Sequence, residues 1–147
     1  MKIMPALIPI AITISVLLVA CAAPAQPESK ASVEVSCDEF NDNHHINRTL
    51  EVQSGEIFEV RLCSSPTVGF QWLEEAQIDN AAVLKQEEHK CIGPDSEPPP
   101  PPGIAWEEVW TFRALKHGSS TIYLELSEPW VGGKQGGWTC TVTVTVK

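Results

Sequence analysis

Basic residues are scarce in this 147-residue chain: 10 Lys and Arg stand against 19 Asp and Glu, a net charge of −9. That balance disfavours nucleic acid and anionic lipid surfaces as partners, since both require clustered positive charge. Reactive motifs are missing as well. There is no Gly-x-Ser-x-Gly elbow, no His-Glu-x-x-His pair and no glycine-rich phosphate loop ahead of a helix. The pairs Glu87-Glu88 and Glu107-Glu108 are adjacent, so on a strand their carboxylates point to opposite faces and form no acid–base dyad. His44 and His45, even taken with His89, have no cysteine or carboxylate at a characteristic metal spacing and read as part of a solvated loop. No segment shows a convincing amphipathic-helix period. These absences exclude an enzyme, and no metal or other cofactor is expected.

Long apolar runs are confined to the start of the chain. Ile3–Ala20 is apolar apart from Pro5, Pro9, Thr13 and Ser15, follows Lys2, and ends Leu17-Leu18-Val19-Ala20-Cys21. Aliphatic residues and a small residue ahead of cysteine resemble the lipobox of bacterial lipoprotein signals. The resemblance implies that residues 1–20 are a signal peptide, removed so that Cys21 carries lipid. The protein would then be anchored to a membrane of the cell envelope and exposed outside the cytoplasm. Removing Lys2 with the signal leaves 9 basic and 19 acidic residues, a net charge of −10. Residues 21–32 are the lipidated cysteine and a small, polar, proline-bearing tether. Ala22, rather than aspartate, follows Cys21 and leaves outer-membrane delivery open. Residues 33–147 form one domain, expected to be a monomer.

Four further cysteines, Cys37, Cys63, Cys91 and Cys140, suit two disulfides in an exported domain, with three connectivities open. Cys37 is in phase with Val33 and Val35, and Cys140 with Val142, Val144 and Val146. Cys63 is out of phase with its core residues but sits at a strand end. The expected pairing is Cys37–Cys63 with Cys91–Cys140. Asn47-Arg48-Thr49 matches a glycosylation sequon that a bacterial lipoprotein leaves unused.

Strand patterns dominate the domain. Alternation or β-rich composition marks Val33–Cys37, Thr49–Val52, Ile57–Cys63, Phe70–Leu73, Ala81–Gln86, Trp106–Ala114, Ser120–Leu126 and Thr139–Val146. Asp38–Asn47 reads as a polar, turn-rich connection. Seven or eight short strands with turn signals between them predict an all-β fold, an immunoglobulin-like antiparallel β-sandwich. Of the five tryptophans, Trp72, Trp106, Trp110 and Trp138 fall in or beside strand patterns and suit packing. Trp130 follows Pro129 at the mouth of a glycine-rich loop and suits an interface anchor.

Three connections carry the remaining signal: Ser65-Pro66-Thr67-Val68-Gly69-Phe70, the proline-rich segment from Cys91 to Ala105, and Glu128-Pro129-Trp130. Pro98–Pro102 suits either a stiff loop segment or a polyproline II ligand. In this order within a small β domain, the three connections resemble the chagasin-like inhibitors of papain-type cysteine peptidases, over roughly Cys37–Lys147. The resemblance implies an immunoglobulin-type sandwich whose three loops enter the peptidase cleft, reversibly and without being cleaved. It implies a first motif, Asn-Pro-Thr-Thr-Gly-Phe/Tyr in the family, at Ser65, Pro66, Thr67, Val68, Gly69 and Phe70, with Thr67 over the catalytic cysteine. Gly103, Ile104 and Ala105 loosely match the second motif, and Glu128, Pro129 and Trp130 match the third, Arg-Pro-Trp. Ser65, Val68 and Glu128 depart from the family residues, and Glu128 reverses a charge. The partner so implied is a papain-type cysteine peptidase. The alternative is a surface lipoprotein binding module of the same fold that recognises another protein without inhibiting a peptidase.

Overall fold

Alternating apolar residues build nine strands and one short helix in the computed structural model, which describes residues 30–64, 69–94 and 104–147. In chain order these are β1 (Ala31–Val35), α1 (Cys37–Asp42), β2 (His45–Val52), β3 (Ile57–Ser64) and β4 (Gln71–Trp72). They continue with β5 (Gln77–Ile78), β6 (Leu84–Ile92), β7 (Trp106–Ala114), β8 (Gly118–Ser127) and β9 (Trp138–Val146). One sheet has the order β1-β3-β7-β6 and the other β2-β9-β8-β4, with β5 also paired to β8. The all-β, immunoglobulin-like sandwich expected from the strand patterns is what forms. Its sheets are mixed, because β1 pairs with β3 and β2 with β9 in parallel. The connection through α1 carries the chain from one sheet to the other, so β1 meets β3 instead of its neighbour in sequence.

The core lies between the sheets. Phe58, Val60, Leu62, Trp110 and Phe112 of the first sheet are fully buried, as are Ile122, Leu124, Val142 and Val144 of the second. Period 2 puts each of these sets on one face.

Three local expectations are revised. First, Cys37–Asp42 is helical and β2 already begins at His45, whereas the sequence predicts a strand over Val33–Cys37, a connection over Asp38–Asn47 and the next strand only from Thr49. Ser36 caps α1, its hydroxyl accepting from Glu39 N–H at 3.3 Å while the Glu39 carboxylate accepts from Ser36 N–H at 3.1 Å. Helix formation turns Phe40 inward, where it is fully buried and stacked on Trp138 with ring centroids 4.9 Å apart. Second, β6 starts at Leu84 and runs to Ile92, a shift from the expected Ala81–Gln86. A bulge between Gln86 and Glu88 breaks its alternation and hides the strand from a period-2 reading. Third, Cys91 and Cys140 are free. Cys91 is exposed on the edge strand β6, opposite Glu108, whereas Cys140 is wholly buried in β9 of the other sheet. One thiol lies at the solvent-exposed edge of its sheet and the other inside the core, so the two sulfurs do not meet. Burial pushes the Cys140 thiol up to about 11.

Cys37 and Cys63 do form a disulfide, with Cα atoms 5.1 Å apart. It fastens the first residue of α1 to the end of β3. Lys30, at the other end of β1, pairs with Glu59 at 2.6 Å. Cys21 and the signal and tether readings lie outside the described residues.

Candidate functional site

Strand direction gathers the singled-out connections at one end. β3, β6 and β8 all finish there, and β4, β7 and β9 begin there. The end therefore carries the β3–β4 connection with the first motif, the β6–β7 connection with the second and the β8–β9 connection with the third. The α1 crossover lies at the same end, because β1 parallels β3 and β2 parallels β9.

The neck of the first connection is pinned on several sides. Trp72 Nε1 donates to the carbonyl of Cys63 at 2.9 Å, which closes the loop across its base. The disulfide holds Cys63 from α1, and the Ser64 hydroxyl donates to Glu108 at 2.7 Å. Ser65, Pro66, Thr67 and Val68 lie outside the described residues; Gly69 and Phe70 lie within them. Gly69 has φ +86°, a conformation that L side chains rarely adopt. A Cβ there would also stand 3.3 Å from Cη2 of Trp130. The indole of the third motif thus rests on the glycine of the first. Phe70 packs against Gly137, where an added Cβ would lie 3.3 Å from its ring.

The third connection is folded on itself. Glu128 N–H donates to the carbonyl of Lys134 at 2.8 Å, and Gly133 N–H to that of Trp130 at 3.0 Å. The Glu128 carboxylate accepts from Lys134 N–H at 2.7 Å, so it is engaged within its own loop. Pro129 is exposed, Trp130 is 52% exposed and Val131 projects fully into solvent. An apolar tip on a closed neck is the result.

At the second connection, Gly93 sits beneath the Trp106 indole, with room for a Cβ only 3.0 Å from the ring. Gly103 lies outside the described residues, Ile104 is half-buried and Ala105 exposed. An open groove of about 530 Å³ adjoins this neck, lined by Cys37, Cys63, Ile92, Ala105 and Trp106 among others. Trp106 Nε1 is buried in the groove wall with no hydrogen-bond partner among the described residues.

One polar cluster went unnoticed in the sequence. Glu108 accepts from Ser64 and contacts His89 Nε2 at 2.9 Å, and His89 lies on the Trp110 ring with centroids 4.8 Å apart. The carboxylate stands between the serine and the imidazole, so the Ser64 hydroxyl faces Glu108 and not His89, and it is itself fully buried. The triad order needed to activate a serine is not present. His45 contacts Thr139 at 3.0 Å, and among the described residues no cluster of His, Cys, Asp and Glu is suited to hold a metal. The tryptophans divide much as their sequence positions suggest: Trp72 and Trp110 are buried, Trp106 and Trp138 half-buried.

An immunoglobulin-like sandwich with firmly necked connections at one end, an exposed apolar tip at Trp130 and Val131, and no activated serine among the described residues has the makings of a protein-binding scaffold. The chain belongs to the chagasin family of peptidase inhibitors: residues 51–146 match the family model described as "Chagasin family peptidase inhibitor I42". Proteins of this family are inhibitors, not enzymes. The chain is 27% identical over 101 residues to Amoebiasin-2 of Entamoeba histolytica, covering 67% of this chain and 77% of that protein. Its fold is similar to that of the cysteine protease inhibitor EhICP2 from Entamoeba histolytica, with a TM-score of 0.59 at 20% identity over 80% of this chain and 96% of the other. It is also similar to PbICP-C, solved in complex with falcipain-2, with a TM-score of 0.57 at 14% identity over 80% and 99% of the two chains.

Proposed function

We propose that this chain is a reversible inhibitor of papain-type cysteine peptidases and acts by placing the loops of one end of its sandwich in the active-site cleft. The observation that carries this reading is the seating of Trp130 on Gly69, which makes one surface of the first and third motifs. Closed necks limit the entropy lost on binding, and a half-exposed indole offers a large apolar anchor. On this reading Ser65–Phe70 blocks the site with Thr67 over the catalytic cysteine, Pro129 and Trp130 pack beside it, and Gly103–Ala105 supplies a third contact. The experiment is titration of papain and a cathepsin-L-like peptidase with residues 22–147. Tight inhibition with the inhibitor left uncleaved is expected. Thr67→Arg and Trp130→Ala should each weaken it roughly 30-fold, the range of interface hot spots, with unfolding midpoints little changed. A folded sample that inhibits neither enzyme would refute the reading and favour the non-inhibitory binding module.

We further propose that the protein is a lipid-anchored monomer of the cell envelope, with residues 1–20 as signal and lipid on Cys21. Its support is the lipobox-like sequence, and the direction of β1, which enters the domain at the end away from the motif loops, is compatible with an anchor there. Palmitate incorporation that depends on Cys21 tests the anchor.

A further inference from the structure

Glu128 occupies the place of the arginine in the family's third motif, yet its carboxylate is folded back onto its own loop. It accepts from Lys134 N–H at 2.7 Å. The Glu128 backbone N–H reaches the Lys134 carbonyl at 2.8 Å, so residues 128 and 134 are joined twice. Gln135 Nε2 adds a bond to the Glu128 carbonyl at 3.2 Å. Gly133 lies so close that a Cβ there would be 2.7 Å from the Glu128 Cβ and carbonyl oxygen. Between these ties the chain has only five residues in which to turn. Trp130 opens that turn, its carbonyl taking Gly133 N–H at 3.0 Å, and Gly132 has φ +81°, as the third residue of a type II turn requires.

We propose that Glu128 is a positioning residue: it closes the neck of the third loop and thereby fixes the direction in which Trp130 is presented against Gly69, acting on a peptidase through Trp130. The link to inhibition rests on the function proposed above; the link to Trp130 does not. An arginine at this position has donors and no acceptor, so it cannot meet the Lys134 N–H. Glutamine keeps a carbonyl oxygen and can. The departure at 128 is then a change in how the tip is held, not an added charge for the peptidase to meet.

The test uses residues 22–147 with Glu128→Ala, Glu128→Gln and Glu128→Arg, each checked for an unchanged unfolding midpoint. Amide hydrogen exchange at Lys134 and acrylamide quenching of Trp130, assigned with Trp130→Phe, read the loop. Papain inhibition reads the consequence. Glu128→Ala and Glu128→Arg are expected to speed Lys134 exchange about tenfold, the equivalent of one charge-assisted hydrogen bond. They should also alter Trp130 quenching and weaken inhibition by about the same factor. Glu128→Gln is expected to rescue all three. Unchanged Lys134 exchange and Trp130 quenching in Glu128→Ala would overturn the proposal. So would a Glu128→Gln variant that keeps Lys134 protected yet inhibits as poorly as Glu128→Ala, because the charge itself would then be the active feature. If the unmutated chain fails to inhibit papain, the inhibitor reading falls, while the exchange and quenching results still decide the role of Glu128.

Discussion

Glu59 lies on β3 with 12% of its side chain exposed, between the Lys30 ammonium at 2.6 Å and the Arg61 guanidinium at 2.8 Å. The hydrogen bond from Lys30, supported by Arg61, holds its carboxyl below the usual carboxylate range against the opposing effect of burial. A carboxylate depressed in the folded state stabilises above its unfolded value, and that stabilisation is lost as pH falls through the lowered one. Glu59→Gln should therefore cost about 1 kcal/mol near pH 7, with the two proteins converging towards pH 3; denaturant midpoints at both pH values would show it. A cost that persists undiminished at pH 3 would mean that packing, not charge, explains Glu59. At the same scale, the exposure of Trp130 was legible because proline and glycines frame an aromatic residue that no strand pattern claims. The inward fold of Glu128 was not, since a one-letter sequence shows its charge and not the amide it meets.

Among elements, α1 and the first-motif neck form a unit. The Cys37–Cys63 bridge spans 26 residues and ties α1 to the strand that delivers the first motif. Closing a loop of that length restricts the unfolded chain by about 3 kcal/mol. Cys37→Ser with Cys63→Ser should lower stability by that order and also loosen the neck of the first-motif connection, because Cys63 additionally supplies the carbonyl that Trp72 Nε1 holds. Urea unfolding and papain titration of the double variant would check both. Equal stability with and without the bridge would show that Phe40, stacked on Trp138, suffices to dock α1. The signal for this helix was present as Ser36-x-x-Glu39 ahead of Phe40, but six helical residues are too few for a visible period. The bulge in β6 misled the strand reading in the same way, by breaking periodicity within a real element.

For the whole molecule, polarity is the deciding property. β1 begins at one end and the motif loops lie at the other, so an anchor on Cys21 would present the loops away from the membrane. From Cys21 to Lys30 an extended chain reaches at most about 30 Å. Cys21→Ala should abolish palmitate labelling and release the protein from the membrane fraction. Labelling that persists in that variant would place the lipid elsewhere.

Composition and alternation determined the β class, the two-sided core and the three motif-bearing connections, because period-2 burial and turn chemistry are local properties written residue by residue. Only the tertiary structure decided the parallel pairings of β1 with β3 and β2 with β9, the free state of Cys91 and Cys140, and the seating of Trp130 on Gly69. Each of these depends on which residues far apart in the chain become neighbours, and that is set by how the sheets assemble and not by any stretch of sequence alone.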